Sequence, residues 1–435
     1  MILEFKRPSS ALLFVTCWIV ACSSGIATGA TDVTAVITTA HAPNSVAQQS
    51  KPYVILVSLD EFRFDYAAKY GATHLLEVGS QGITAEGLVP SYPSLTFPNH
   101  YSIVTGLYPE HHGIVGMTFY DPTRHKHFSF KDPSTATDGS WYQGTPLWTL
   151  AEKQGMRTAC FFWPGSEAQI DGARPTYYIP FDDKFPDEAR IEQVLNWLRL
   201  PVSQRPHFIT LYYSNVDHAG HNFGPDSHEV ADSVHRVDEL IGQLQTGLKK
   251  LLLPIDLIVV SDHGMATEEG APINLDKFAD LSGFETDGAF LYAPDESHAQ
   301  AAYQHLSGAS SQFSVYRRQS LPPHLHFDES DRIGDPVVVS NGPYVIRAHG
   351  DSDHVNKGVH GYDPERFPEM QGIFYASGPG IRKHVRVAPF ENVEIYAFIA
   401  NLLGLKAGKV DGSGEVLGTF LVPMNPELEY LRQVR

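Results

Sequence analysis

The chain has 435 residues, 42% of them hydrophobic, with 36 Gly and 30 Pro, enough for a large core in a loop-rich α/β protein and too apolar for a disordered one. Fifty acidic residues against 32 basic ones leave a formal net charge of -18, which argues against a nucleic-acid duplex or an anionic membrane surface as a general partner. The 21 His prove nothing alone but make metal sites worth seeking.

Lys6 and Arg7 precede an apolar run from Ala11 to Ala21, too short to span a bilayer and suited to a signal-peptide core over residues 1–22. Export to a bacterial periplasm follows. Ile19-Val20-Ala21-Cys22-Ser23 resembles a lipoprotein signal with Cys22 as the lipid anchor; small residues at Ala27 to Ala30 offer an ordinary cleavage site as the alternative. Residues 23–50, rich in Ala, Thr and Ser and almost uncharged, read as a flexible tether, and 426–435 as a C-terminal tail. With Cys17 and Cys22 in the signal, Cys160 stands alone in the mature chain, so no internal disulfide is expected.

The catalytic domain is expected over 51–425. Tyr53 to Asp60 is a continuous apolar run ending in a carboxylate, the pattern of a strand buried on both faces of a parallel sheet, where ligands gather beyond the carboxyl ends. Asp60 could equally initiate a turn. Pro93 and the Ser/Thr residues of 91–96 read as a loop, and Pro98 belongs in the first turn of a helix through Tyr101 to Thr105. Thr96 then lies at a helix N-terminus, either as a cap or facing an anion drawn by free N–H groups and the dipole.

Helical patterns follow at Leu147–Lys153 and Pro186–Leu198, and alternating elements imply a doubly wound, mostly parallel sheet flanked by helices. A second buried strand, 206–215, runs into Val216-Asp217-His218-Ala219-Gly220-His221. On a helical turn Asp217 and His221 share one face and can grip a cation. A helix over Val230–Leu252 leads to a third strand, 255–261, ending Asp262-His263-Gly264. Asp262 and His263 could simply hydrogen-bond, yet acids at three strand ends repel one another unless a cation joins them. Residues 281–356 resemble an inserted subdomain. Beyond it, His360 sits between glycines, with His324, His326, His349 and His354 as rivals; a strand over 370–377 and a helix over 393–403 complete the core.

Asp60, Thr96, Asp217, His221, Asp262, His263 and His360 have the composition of two zinc ligand sets, and paired metals roughly 4 Å apart suit in-line phosphoryl displacement. Thr96 is the candidate nucleophile, through a phospho-threonine that water then hydrolyses. Ser-Leu-Asp60-Glu-Phe-Arg, Tyr-Pro-Ser-Leu-Thr96-Phe-Pro-Asn-His-Tyr, Val-Asp217-x-x-Gly-His221, Ser-Asp262-His263-Gly-Met and Gly-x-His360-Gly-Tyr-Asp together resemble the nucleotide pyrophosphatase/phosphodiesterase family of the alkaline phosphatase superfamily, over about residues 51–405. The resemblance implies an alkaline phosphatase-like fold. It puts one zinc on Asp217, His221 and His360 and the other on Asp60, Thr96, Asp262 and His263, and implies a nucleotide substrate with no obligate protein partner. It also implies that Phe97 and either Tyr177 or Tyr178 sandwich a base.

One position departs from the family. Met117 stands where an asparagine amide is expected to donate to a phosphate oxygen, and such a loss can cost about 10²-fold in rate. Thr118 could replace it, or the local alignment could be shifted. A choline-phosphodiesterase or a phosphomonoesterase on the same scaffold is the alternative activity, and an inactive metal-stabilised binding lipoprotein is the alternative of another class.

Overall fold

The computed structural model describes residues 35–350 and 356–422; the signal segment with Cys22, His354 and the tail at 426–435 lie outside the described residues. Nine strands form the main sheet: β1 (Ile37–Thr38), β2 (Tyr53–Leu59), β3 (Ile83–Ala85), β4 (Thr158–Phe161), β5 (Tyr177–Ile179), β6 (Phe208–Tyr213), β7 (Ile255–Val260), β8 (Phe374–Ser377) and β9 (Val385–Val387). Their spatial order is β1-β5-β4-β6-β2-β7-β8-β3-β9. Five of the eight pairings are parallel, including the central run β5-β4-β6-β2-β7.

All seven residues of β2 are buried, because helices cover both faces of the sheet. Val54 and Leu56 point into one cluster with α1 (Thr96–Thr105), α2 (Leu147–Lys153) and α6 (Glu394–Leu403). Ile55, Val57 and Leu59 point into the other, with α3 (Asp187–Arg199), α4 (Asn215–Phe223) and α5 (His228–Leu251). Alternation along one strand thus divides its apolar side chains between two cores.

The described part of the expected tether, residues 35–50, is tied down. β1 pairs antiparallel with β5, and Thr39 N–H donates to the Thr176 carbonyl at 2.8 Å. Asn44 is buried, donates to the Val202 and Arg205 carbonyls at 2.8 and 2.7 Å, and accepts from Arg157 N–H at 2.7 Å. Low charge signalled a linker, but a polar side chain satisfied by three backbone partners fixes the segment.

Residues 273–348 carry a small apolar cluster of their own, around Leu275, Leu291, Leu306, Phe313 and Val338. Arg332, buried in this region, ties it to the rest: its Nε donates to Asp121 at 2.9 Å and its Nη1 to the Gly113 and Trp141 carbonyls at 2.7 Å each.

Candidate active site and metal centre

β6, β2 and β7 are neighbours in parallel register, with Leu59 opposite Tyr213 and Ser58 opposite Val260. Their carboxyl ends therefore stop at one level, and the next residues enter one crevice. Asp60 follows β2, Asp262 and His263 follow β7, and α4 begins just after β6, carrying Asp217 in its first turn and His221 one turn on. Two glycines make this approach close enough. A Cβ on Gly220 would lie 2.5 Å from Glu61 Oε2, and one on Gly264 would lie 2.2 Å from the Glu369 carbonyl. Glu61 turns the chain out of β2 at a φ of 64°, a left-handed conformation that only its surroundings sustain.

Thr96 is the first residue of α1. Leu95 occupies the cap position without a side-chain bond, and the Thr96 hydroxyl lies 3.1 Å from His263 Nε2. The hydroxyl therefore faces the crevice and does not cap the helix. Buried Asn99 holds the loop in front of it, accepting from Ser91 N–H at 2.7 Å and donating to the Pro93 and Leu95 carbonyls at 2.9 Å each.

Three groups of tips meet there, one of them Asp60, His100 and Asp262. Asp217, His221 and His360 offer ligand atoms within 4.8 Å of one another, as do Asp60, Asp217 and His263. His221 Nε2 is 3.2 Å from His360 Nε2, and His263 Nε2 is 3.1 Å from Asp262 Oδ2 and 3.5 Å from Asp60 Oδ1. His221, His360 and His263 each donate Nδ1–H to a backbone carbonyl, of Gly358, Ser94 and Gly264 respectively, at 2.9 to 3.0 Å. A carbonyl only accepts, so each Nε2 keeps its lone pair for the crevice, as a ligand nitrogen must.

Asp60 Oδ1, Asp217 Oδ1 and Asp262 Oδ2 are buried without a hydrogen-bond partner. Burial, with the charges of Asp262 and Asp217, drives the Asp60 carboxyl well up, and burial raises Asp217 and Asp262 as well. Burial also holds His263, His221 and His360 below the usual imidazole range, hence neutral. Three starved carboxylates beside three neutral imidazoles fit divalent cations and little else.

His324, His326 and His349 are engaged elsewhere: His324 pairs with Asp363 at 3.0 Å, His326 stacks on Tyr108 at 4.1 Å and His349 lies 3.6 Å from Asp276. His100, which no spacing singled out, is fully buried beside the set, with Nδ1 2.9 Å from the Thr96 carbonyl and Nε2 2.9 Å from the Ser58 hydroxyl. Both ring nitrogens have these partners, so it braces α1, and Nδ1 also lies 3.2 Å from Asp262 Oδ2, within the group of Asp60, His100 and Asp262. Tyr212 donates to Asp60 Oδ2 at 2.5 Å and fixes that carboxylate.

The crevice opens into a cavity of about 1060 Å³ lined by Phe97, Met117, Thr118, Phe130, Phe162 and Phe181, among others. Tyr177 and Tyr178 do not line it. They lie on β5, where Tyr177 donates to the Gln204 carbonyl at 3.1 Å and stacks on Trp197, and Tyr178 is paired with Ile37. Just beyond β5, Phe181, 51% exposed, does reach the cavity. Met117 Sδ accepts from Phe97 N–H at 3.3 Å, so the departure seen in the sequence touches the start of the helix that carries Thr96.

Sheet, flanking helices and site define an alkaline phosphatase-like α/β protein, and the murine ectonucleotide pyrophosphatase/phosphodiesterase 5 structure superposes with a TM-score of 0.80 at 29% identity, covering 86% of this chain and all of that one. That structure is an inactive threonine-to-alanine variant in complex with AMP. The model for type I phosphodiesterase/nucleotide pyrophosphatase matches residues 54–363, and the chain belongs to that family. Human ectonucleotide pyrophosphatase/phosphodiesterase family member 1 is 37% identical over 398 residues, covering 85% of this chain and 42% of the relative. Venom phosphodiesterase of Macrovipera lebetinus is 35% identical over 380 residues, covering 83% and 44%. The chain thus spans less than half the length of these relatives.

Proposed function

We propose that the chain hydrolyses phosphodiester or pyrophosphate bonds of nucleotides, with two zinc ions and a phospho-threonine intermediate at Thr96. The observation that carries this reading is the meeting of three unpartnered buried carboxylate oxygens and three imidazole Nε2 atoms beside one helix-borne hydroxyl. The AMP complex of the murine relative supports a nucleotide ligand.

Asp217, His221 and His360 would hold one cation, and Asp60, Asp262, His263 and Thr96 the other. When bound, the cations supply Lewis acidity that makes the hydroxyl nucleophilic and balances phosphate charge. Thr96 Oγ1 forms the bond to phosphorus while the bond to the leaving oxygen breaks. Water then adds to the same phosphorus from the opposite side, freeing Thr96 and the nucleoside monophosphate. Phe97 N–H, at the positive end of α1, exchanges the Met117 sulfur for a phosphate oxygen. Phe97 and Phe181 flank the base.

The reading is tested by assaying the zinc-supplied protein on the p-nitrophenyl ester of AMP, p-nitrophenyl phosphate and p-nitrophenylphosphorylcholine. The nucleotide ester should dominate, and Thr96→Ala should cost about 10³-fold or more in kcat. Dominant monoester or choline-ester turnover, or an unchanged Thr96→Ala rate, contradicts it. We also read residues 1–22 as an export signal with Cys22 as lipid acceptor; among the described residues no helix is long and apolar enough to cross a membrane. Mass spectrometry of the mature N-terminus tests that assignment.

A further inference from the structure

We propose that the leaving-group side of the cavity is built for an uncharged, apolar or aromatic leaving group, so that nucleotide diesters are preferred to nucleoside polyphosphates. The inference rests on the hydrolase reading above and adds a substrate class to it. In-line displacement fixes the direction of departure. The attacking hydroxyl is beside His263, so the leaving oxygen emerges across the phosphorus, against Asp217, His221 and His360.

His360 is followed by Gly361 and Tyr362, and the Tyr362 hydroxyl donates to the Tyr344 carbonyl at 3.2 Å. Tyr344 thus stands beside the residues that follow His360, and the departing group is placed on the wall that the 287–346 segment supplies to the same cavity. That wall is made by Phe290, Phe327, Ile333, Val337, Val338 and Tyr344. Phe327 meets Tyr92 edge-on at 5.2 Å and lies 6.3 Å from Phe290, which continues the apolar surface.

The charges are arranged against a polyphosphate. Among the described residues that line the cavity, Lys131 is the one Lys or Arg, and its ammonium lies over the Phe130 ring at 5.4 Å. Phe130 packs on Phe97 at 5.6 Å, so this cation belongs to the base side. The 287–346 segment gives the cavity a single charged side chain, Asp287, already paired with His127 at 3.2 Å. A pyrophosphate leaving group would bring several negative charges to an apolar wall with one carboxylate, on a chain whose net charge is -18. An aryl group or a second nucleobase would instead find rings to stack on.

The test compares the p-nitrophenyl ester of AMP with ATP, both of which release AMP, on the full zinc-supplied chain. We expect kcat/KM for the aryl ester to exceed that for ATP by about tenfold or more, with the gap narrowing as salt screens the repulsion. Ala289 lies in the turn of the hairpin Glu285–Asp287/Phe290–Tyr292 and lines the cavity. Ala289→Lys should shift the ratio about five- to tenfold toward ATP, and Ala289→Glu should shift it the other way; Ser340→Lys, at the end of the strand Val337–Ser340 and also lining the cavity, replaces the first variant if it does not fold. ATP cleaved as well as the aryl ester, or ratios indifferent to both charges, overturns the inference and leaves the hydrolase reading standing. Turnover of neither substrate overturns both.

Discussion

Replacing Asp217 by Asn should change stability in opposite directions with and without cations. Without them, Asp217 carries a buried carboxylate oxygen without a hydrogen-bond partner, and its ligand oxygen lies within 4.8 Å of Asp60. Two full charges at that separation repel by about 3 kcal/mol at an effective dielectric near 20. Partial protonation reduces the relief, so about 1–3 kcal/mol should be gained on substitution. At roughly 2 °C per kcal/mol, the thermal midpoint of the chelated variant should rise by about 2–6 °C. In the proposed zinc site the same side chain would be a ligand, and a thousandfold excess over Kd would stabilise the wild type by about 4 kcal/mol per site. The variant should lose much of that and melt below the wild type. Thermal scans of both proteins in chelator and in zinc read the two signs directly. A shift of the same sign in both conditions would refute the idea that these acids gather for a cation.

Three more outcomes follow from the packing. Arg332→Ala should destabilise the fold by roughly 2–4 kcal/mol, because it leaves two buried carbonyls without a donor and Asp121 with only Arg124 as a cationic partner; denaturant midpoints measure this. Burial lowers His112 to about 3 and His207 to about 4, so both are neutral in the native state while the unfolded chain protonates them below about 6.5. Stability should therefore be intact above pH 6.5 and fall as pH drops toward 4, by roughly 2 kcal/mol per group at pH 5, and His112→Gln should flatten the urea-midpoint profile. Phe181→Ala should raise KM for a nucleotide ester about five- to twentyfold with little change in kcat, while bis(p-nitrophenyl) phosphate, which has no base, is affected far less.

The sheet and the crevice were legible because their signals are local. The buried strands β2, β6 and β7 are continuous apolar runs, each followed at its end by polar residues, and parallel register then brings Asp60, Asp262 and His263 together without further information. What escaped depends on distant partners. Asn44 reads as a linker residue until Val202, Arg205 and Arg157 come to it. His100 reads as one more helix residue until Ser58 and the Thr96 carbonyl take both its nitrogens. The family resemblance implies a base-stacking aromatic at Tyr177 or Tyr178; both belong to β5, and Phe181 reaches the cavity because the chain has by then left the strand. An aromatic just past a strand end was the available signal.

The proposed chemistry requires a pair of divalent cations between these strand ends. Anomalous diffraction at the zinc edge, on crystals of the zinc-supplied chain, tests this most directly. Two peaks about 4 Å apart are expected, one among Asp217, His221 and His360 and the other among Asp60, Thr96, Asp262 and His263. A crevice without peaks, or zinc bound only at other histidines, would contradict it.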